Sequence, residues 1–222
     1  TWVKKLETFH RYLNNIKNLS QLNSAVAEDR LLPYYQPIMN NSTGEIYKYE
    51  SLLRIIDPEG IPMLPGPYLN VARQTQIYPE ITKIIFEKTF AFMHSRNLDF
   101  SLNISADDIY YPGFFKFIQT MTEKYPLTEG RVILEIVESE NFSDYRFLAD
   151  FIKAAKKTGY RFAIDDFGTG YSNFSYLSRL HLDYIKFDGS LINKIDSDKS
   201  SRIIVRNISA LCRELDIKTI AE

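Results

Sequence analysis

Apolar and polar positions follow two rhythms along this chain, and the rhythm changes repeatedly. Over the first thirty residues Trp2, Leu6, Phe9, Leu13 and Ile16 recur at steps of three or four, the single stripe of an amphipathic helix. Ser20 predicts an N-cap for a second short helical run reaching about Arg30. From residue 33 onward, short apolar runs rich in β-branched and aromatic residues predict strands at about 34–40, 45–56, 100–105, 131–138, 161–167, 184–188 and 217–221. Asn41-Ser42-Thr43-Gly44 is a turn signal that makes the first two a hairpin. Helical periodicity fills the later gaps, at about 79–96, 107–123, 143–158, 172–180 and 199–215.

Repeated strand-then-helix units imply a parallel sheet covered by helices. An open doubly wound sheet and a closed barrel both satisfy that order. The polar residues favour the barrel. Glu50, Asn103, Glu135, Asp165, Lys186 and Glu222 each lie in or at the end of a different predicted strand, and strand-end side chains converge when the strands form a ring. The expected fold is therefore α/β, a TIM-like (β/α) barrel with an antiparallel first strand. The seventh predicted strand ends with the sequence, so a barrel lacking its last strand is expected. Residues 1–30 read as a helical linker or signalling segment and residues 31–222 as the barrel domain. The chain opens on Thr1 rather than Met, which predicts a piece of a longer protein.

Composition narrows the field only modestly. The 27 basic and 28 acidic residues give a net charge of −1, so no bulk field for coating DNA exists and any nucleotide must be held by local geometry. Cys212 is the single cysteine, which excludes an internal disulfide and a cysteine zinc site and suits a reducing, cytoplasmic setting. No apolar window approaches the ~20 residues of a membrane span; a membrane anchor or sensor would lie upstream. His10, His94 and His181 share no metal-ligand spacing.

Acids inside apolar strands need a reason, because an unpaired buried carboxylate is costly. Glu135 in Val-Ile-Leu-Glu-Ile-Val, Asp165-Asp166 after Phe-Ala-Ile, and Glu50 in the run from Tyr47 to Ile56 are such cases. Each taken alone is as well explained by a basic partner. Together with Asn103 they outnumber Lys186 and Arg54, the comparably placed cations. An all-oxygen set of Glu, Asp and Asn suits Mg²⁺ or Mn²⁺, and the number of acids leaves room for two ions, which could act together on a phosphorus centre. Lys186, amid apolar residues in Tyr-Ile-Lys-Phe, either serves an attacking water or acts as counter-ion to the acids. The loop Gly168-Thr169-Gly170-Tyr171-Ser172 has glycines suited to a tight turn beside the acids.

From about Leu31 to Glu222 the chain resembles the EAL family, bacterial enzymes that open cyclic di-GMP to linear pGpG. The resemblance rests on Tyr35-Gln36-Pro37-Ile38, Glu50-Ser51-Leu52-Leu53-Arg54, Leu102-Asn103-Ile104-Ser105 and Leu134-Glu135-Ile136-Val137-Glu138. It continues through Asp165-Asp166-Phe167-Gly168-Thr169-Gly170-Tyr171-Ser172, Ile185-Lys186-Phe187-Asp188 and Ala221-Glu222, all in the family's order. It implies that Glu50, Asn103, Glu135, Asp165, Asp166 and Glu222 hold two ions, with Lys186 assisting the water and Glu50 and Glu222 counted among the catalytic groups. It also implies that Gln36, Leu53 and Arg54 hold the dinucleotide, and that Glu138 fixes the loop after Asp166. A homodimer through that loop and the following helix, and an upstream sensory or cyclase domain, are further implications. Ser51 stands in place of the usual Ala, Val137 where Thr is common, and Gly189 where a larger residue is usual; none is a ligand. A metal-dependent phosphodiesterase is thus the leading expectation. A non-catalytic cyclic di-GMP receptor is the alternative. A barrel enzyme of other chemistry would leave the Asp-Asp-Phe-Gly-Thr-Gly run and Arg54 without a purpose.

Overall fold

The computed structural model describes residues 2–75, 77–126, 130–137, 144–168 and 177–222, the side chains of 3, 4, 5, 7, 177 and 178 excepted. All seven predicted strands form: β1 (Leu31–Met39), β2 (Ile46–Ile56), β4 (Phe100–Ile104), β5 (Val132–Val137), β6 (Arg161–Phe167), β7 (Tyr184–Phe187) and β8 (Lys218–Ala221). A two-residue strand, β3 (Pro62–Met63), adds to the edge of β2. The sheet order is β1-β2-β4-β5-β6-β7-β8; β1 is antiparallel to β2 and the remaining pairs on that path are parallel. Among the described residues the sheet curls into a barrel-like trough that does not close: the pairing path runs from β1 to β8 without joining them.

Both faces of the central strands are buried, which is why they read as continuous apolar runs. Odd and even positions separate cleanly. Phe100, Leu102, Val132, Leu134, Ile136, Phe162, Ile164, Ile185 and Phe187 face outward into one large core shared with the helices. Ile133, Ala163 and Tyr184 form a separate small cluster on the inner face, with Ile220 against it. The outer core is dominated by aromatic contacts, with Phe90 meeting Phe100 edge-on at 5.1 Å and Tyr160 at 6.5 Å.

Helices α3 (Tyr78–Arg96), α6 (Tyr145–Lys156), α7 (Leu177–Leu180) and α9 (Lys199–Glu214) match predicted segments to within a residue or two where those are described, 143 and 172–176 lying outside the described residues. Two expectations are corrected. Residues 2–27 form one helix, α1 (Trp2–Ala27), rather than two; no Gly or Pro interrupts that stretch, so Ser20 has nothing to cap. The helix predicted at 107–123 is two, α4 (Ala106–Tyr110) and α5 (Phe114–Lys124). Pro112 pushes Tyr111 to φ −69°, ψ 125°, out of the helical region, and Gly113 at φ 87° turns the chain. Helices α2 (Gly66–Gln74) and α8 (Gly189–Ile192) lie outside the segments that the sequence predicted as helical.

The far half of α1 packs on the domain. Leu22 and Ala25 are buried, whereas the stripe from Trp2 to Ile16 is exposed, Trp2 by 89 %.

Two features near the ends of the strands bear on local stability. Ser105 and Asp108 form a reciprocal capping box at α4, with the Ser105 N–H and hydroxyl both donating to Asp108. Burial pushes the Asp108 carboxyl up to about 6 against those bonds. A carboxyl raised in the folded state favours folding while protonated, and that contribution is lost as pH rises from 3.8 through about 6. Asp108→Asn, which cannot ionise, should therefore gain stability relative to the parent as pH rises across that window, and urea titrations at several pH values would show it. Gly168 has φ +101°, and a Cβ there would lie 2.5 Å from Leu191 Cδ1. Gly168→Ala should cost on the order of 1–3 kcal/mol, read as a drop in melting temperature.

Candidate active site

A strand turns every second side chain to the same face. That period delivers Glu50 from β2, Asn103 from β4, Glu135 from β5, Asp165 from β6 and Lys186 from β7 to the inside of the trough, with Glu222 just beyond β8. They meet around one atom. Lys186 Nζ lies 2.9 Å from Glu50 Oε2, 2.9 Å from Glu135 Oε2, 3.0 Å from Asp165 Oδ1 and 2.7 Å from Glu222 Oε1. Asn103 Nδ2 donates to Glu50 Oε1 at 3.1 Å, which leaves its amide oxygen as the group it can offer a cation. Glu135 is fully buried, and its Oε1 has no hydrogen-bond partner among the described residues.

Asp166 reaches the cluster by a different route. Ala163 and Ile164 pair with Tyr184 and Ile185, but the next pair is Phe167 with Phe187. Asp165 and Asp166 together therefore stand opposite Lys186 alone, a β-bulge. Asp166 takes up the extra residue with φ 56°, a left-handed conformation that Asp tolerates better than most residues. Without the bulge, two consecutive acids would point to opposite faces. With it, carboxylate oxygens of Asp165, Asp166 and Glu222 lie within 4.8 Å of one another, as do those of Glu50, Glu135 and Asp165.

The electrostatics are those of crowded acids. Burial, then Glu50 and Asp165, push the Glu135 carboxyl up to about 7 although Lys186 opposes the shift. Burial and neighbouring acids also raise Asp166 and Glu222. Burial works against the charge of Lys186, but Glu135, Glu50 and Asp165 outweigh it and hold the ammonium well above its ordinary value. Five carboxylates thus face one ammonium. The residues fit hard divalent cations on three counts: an all-oxygen donor set, two triads of converging oxygens that share Asp165, and an unpartnered buried oxygen on Glu135.

Beneath the cluster lies a group that sequence reasoning missed. Lys48, two residues before Glu50, is 3 % exposed, and its Nζ has no hydrogen-bond partner among the described residues. It lies 3.8 Å from the centre of the Tyr184 ring and 4.4 Å from that of Tyr47, and those two hydroxyls are 2.9 Å apart. Burial pulls the amine down to about 7, with Glu135 the strongest influence the other way. The two-residue period of β2, which puts Lys48 on the same face as Glu50, could have found it.

The other expected residues divide. Gln36 stands opposite Glu50 in the β1–β2 register. It lines a cleft of about 760 Å³ that also touches Glu50, Lys186 and Glu222. Leu53 and Arg54 lie toward the end of β2, where the Arg54 guanidinium donates to the Leu53 carbonyl at 2.8 Å and sits 5.7 Å from the Tyr34 ring. Arg54 therefore does not neutralise the cluster as its placement in sequence suggested; Lys186 is the cation in ion-pair contact with those four carboxylates among the described residues. Glu138 and the loop from Thr169 to Ser172 lie outside the described residues.

Comparison with known proteins places this arrangement. The curated relatives include the cyclic di-GMP phosphodiesterase PdeB of Shewanella oneidensis, 29 % identical over 89 % of this chain and 24 % of that protein. The probable cyclic di-GMP phosphodiesterase PdeG of Escherichia coli is 28 % identical over 96 % of this chain and 43 % of that protein. The chain thus spans less than half the length of either. Among solved structures, the PaMucR phosphodiesterase in its c-di-GMP complex superposes with a TM-score of 0.85 at 28 % identity, covering 92 % of this chain and 85 % of that one. The EAL enzyme Bd1971 in its cAMP-bound form gives 0.87 at 25 % identity, covering 99 % and 63 %. The family model described as the EAL domain matches residues 19–222, and with the converging carboxylates in the trough of this sheet, the chain belongs to the EAL domain family.

Proposed function

We propose that this chain hydrolyses one phosphodiester bond of cyclic di-GMP to give linear 5′-pGpG, with Mg²⁺ or Mn²⁺ as cofactor. The observation that carries the reading is the convergence of carboxylates from four different strand ends within 2.7–3.0 Å of Lys186 Nζ. So many acids around one cation would be wasteful in a site that only recognised a nucleotide. Two divalent cations, when bound, would supply charge balance and a readily deprotonated water for attack at phosphorus.

Glu50, Asn103, Glu135 and Asp165 would hold one ion, and Asp165, Asp166 and Glu222 the second. Lys186, held as an ammonium, would donate to the attacking water or a phosphoryl oxygen and orient it, rather than remove a proton from it. Gln36 lies where it could bond the nucleotide in the cleft, Leu53 and Arg54 would flank it at the end of β2, and Glu138 would support the loop after Asp166. That loop and the helix after it would form a homodimer contact. Residues 1–30 would connect the 31–222 domain to an upstream sensory or cyclase domain. Support comes from the exposed stripe of α1 and from a family match that begins only at residue 19. The setting would be cytoplasmic; no helix among the described residues is long and apolar enough to cross a membrane.

The receptor reading has one observation in its favour: Lys186 already pairs with four of the acids, so the cluster could persist without metal. Incubating the full-length protein with cyclic di-GMP and Mn²⁺, then resolving products by chromatography, separates the two. Linear dinucleotide is the expected product. Tight binding without turnover would leave the receptor, and binding of neither nucleotide nor metal would remove both readings.

A further inference from the structure

The inner face of the trough is built in layers. Two residues before each member of the carboxylate cluster, the same parallel strands place a lower tier, about 6.5–7 Å away along each strand. That tier holds Lys48, Ser101, Ile133, Ala163, Tyr184 and Ile220, beneath Glu50, Asn103, Glu135, Asp165, Lys186 and Glu222 respectively. Apart from Lys48 it is apolar or weakly polar. An ammonium buried there without a hydrogen-bond acceptor is costly. Its contacts to the Tyr184 and Tyr47 rings recover part of that cost. No hydrogen-bond acceptor meets its Nζ among the described residues, and the negative charge that faces it from above, on the same inner face, is that of the carboxylate cluster.

We propose that Lys48 regulates metal occupancy: its ammonium and a divalent cation compete for the negative charge of the carboxylate cluster, so Lys48 weakens the hold of the site on metal. The inference rests on the metal-binding reading given above. It follows from reciprocity. Whatever the cluster contributes to holding the ammonium is reduced when a dication enters, and the ammonium reduces metal affinity by the same factor. Tyr184 fixes the distance, since Lys48 stands against its ring while Lys186, two residues on, occupies the cluster itself.

The test is Mn²⁺ binding to the full chain without nucleotide, measured by calorimetry. Lys48→Met and Lys48→Gln should each bind Mn²⁺ more tightly, on the order of tenfold, and the rise in melting temperature at a fixed Mn²⁺ concentration should grow accordingly. Lys48→Arg, which keeps the charge, should stay within about twofold of the parent. A purely structural Lys48 predicts altered melting in the absence of metal with Mn²⁺ affinity unchanged or weakened in the neutral variants; that result would overturn the proposal while leaving the metal site standing. Failure of the parent chain to bind Mn²⁺ at all would instead remove the metal reading, and this inference with it.

Discussion

Lys186→Met is expected to lower the melting temperature of the metal-free protein by about 10 °C, and added Mn²⁺ is expected to recover most of that loss. The side chain is 1 % exposed and pairs with four carboxylates. Removing one partner of a buried ion pair costs roughly 3–5 kcal/mol, because the remaining charge is left uncompensated. A domain of this size loses about 2–4 °C per kcal/mol. The cost here falls on several acids at once, and proton uptake by Glu135, already near 7, would absorb some of it. A dication reaching the emptied centre would replace the missing charge, so scanning calorimetry with EDTA and with Mn²⁺ should show the two effects in opposite directions. Turnover in Mn²⁺ should still fall by about 10²–10⁴-fold, since the orienting donor is gone. An unchanged melting temperature in EDTA, or no recovery with Mn²⁺, would contradict the charge assignment.

Glu50→Gln should reduce hydrolysis of cyclic di-GMP on the order of 10³-fold, which is about 4 kcal/mol of transition-state stabilisation. Glu50 is held from two sides, by Asn103 Nδ2 and by Lys186 Nζ. Glutamine preserves the shape but removes a charge and turns an N–H₂ group toward a donor. Mn²⁺ affinity should fall with turnover, whereas the fold should persist, because Lys186 retains three other carboxylate partners. Parent-rate turnover in this variant would refute the role of Glu50 as a ligand even if the activity itself were real.

How much of this was legible in the chain depends on the range of the forces involved. Strands and long helices were readable because period-two and period-3.6 burial are written in consecutive residues. The break at Pro112-Gly113 was equally local, and its effect on Tyr111 shows that a helical stripe alone does not outweigh a proline. The members of the carboxylate cluster were legible as individuals, since acids in apolar strands stand out. Their mutual arrangement was not. The bulge that brings Asp166 beside Asp165 depends on how Phe167 pairs with Phe187 across the strand boundary. The diversion of Arg54 to its neighbour's carbonyl is likewise a matter of side-chain packing.

By itself the sequence determined which residues form strands, which of them carry charge into an apolar interior, and that oxygen donors dominate the candidate site. Tertiary structure alone decided that the acids converge on one lysine, that both aspartates face inward, and that Lys48 lies directly below them. The physical reason is that a strand's two-residue period specifies which residues share a face, whereas distances between faces follow from the sheet's curl, its register and one inserted residue.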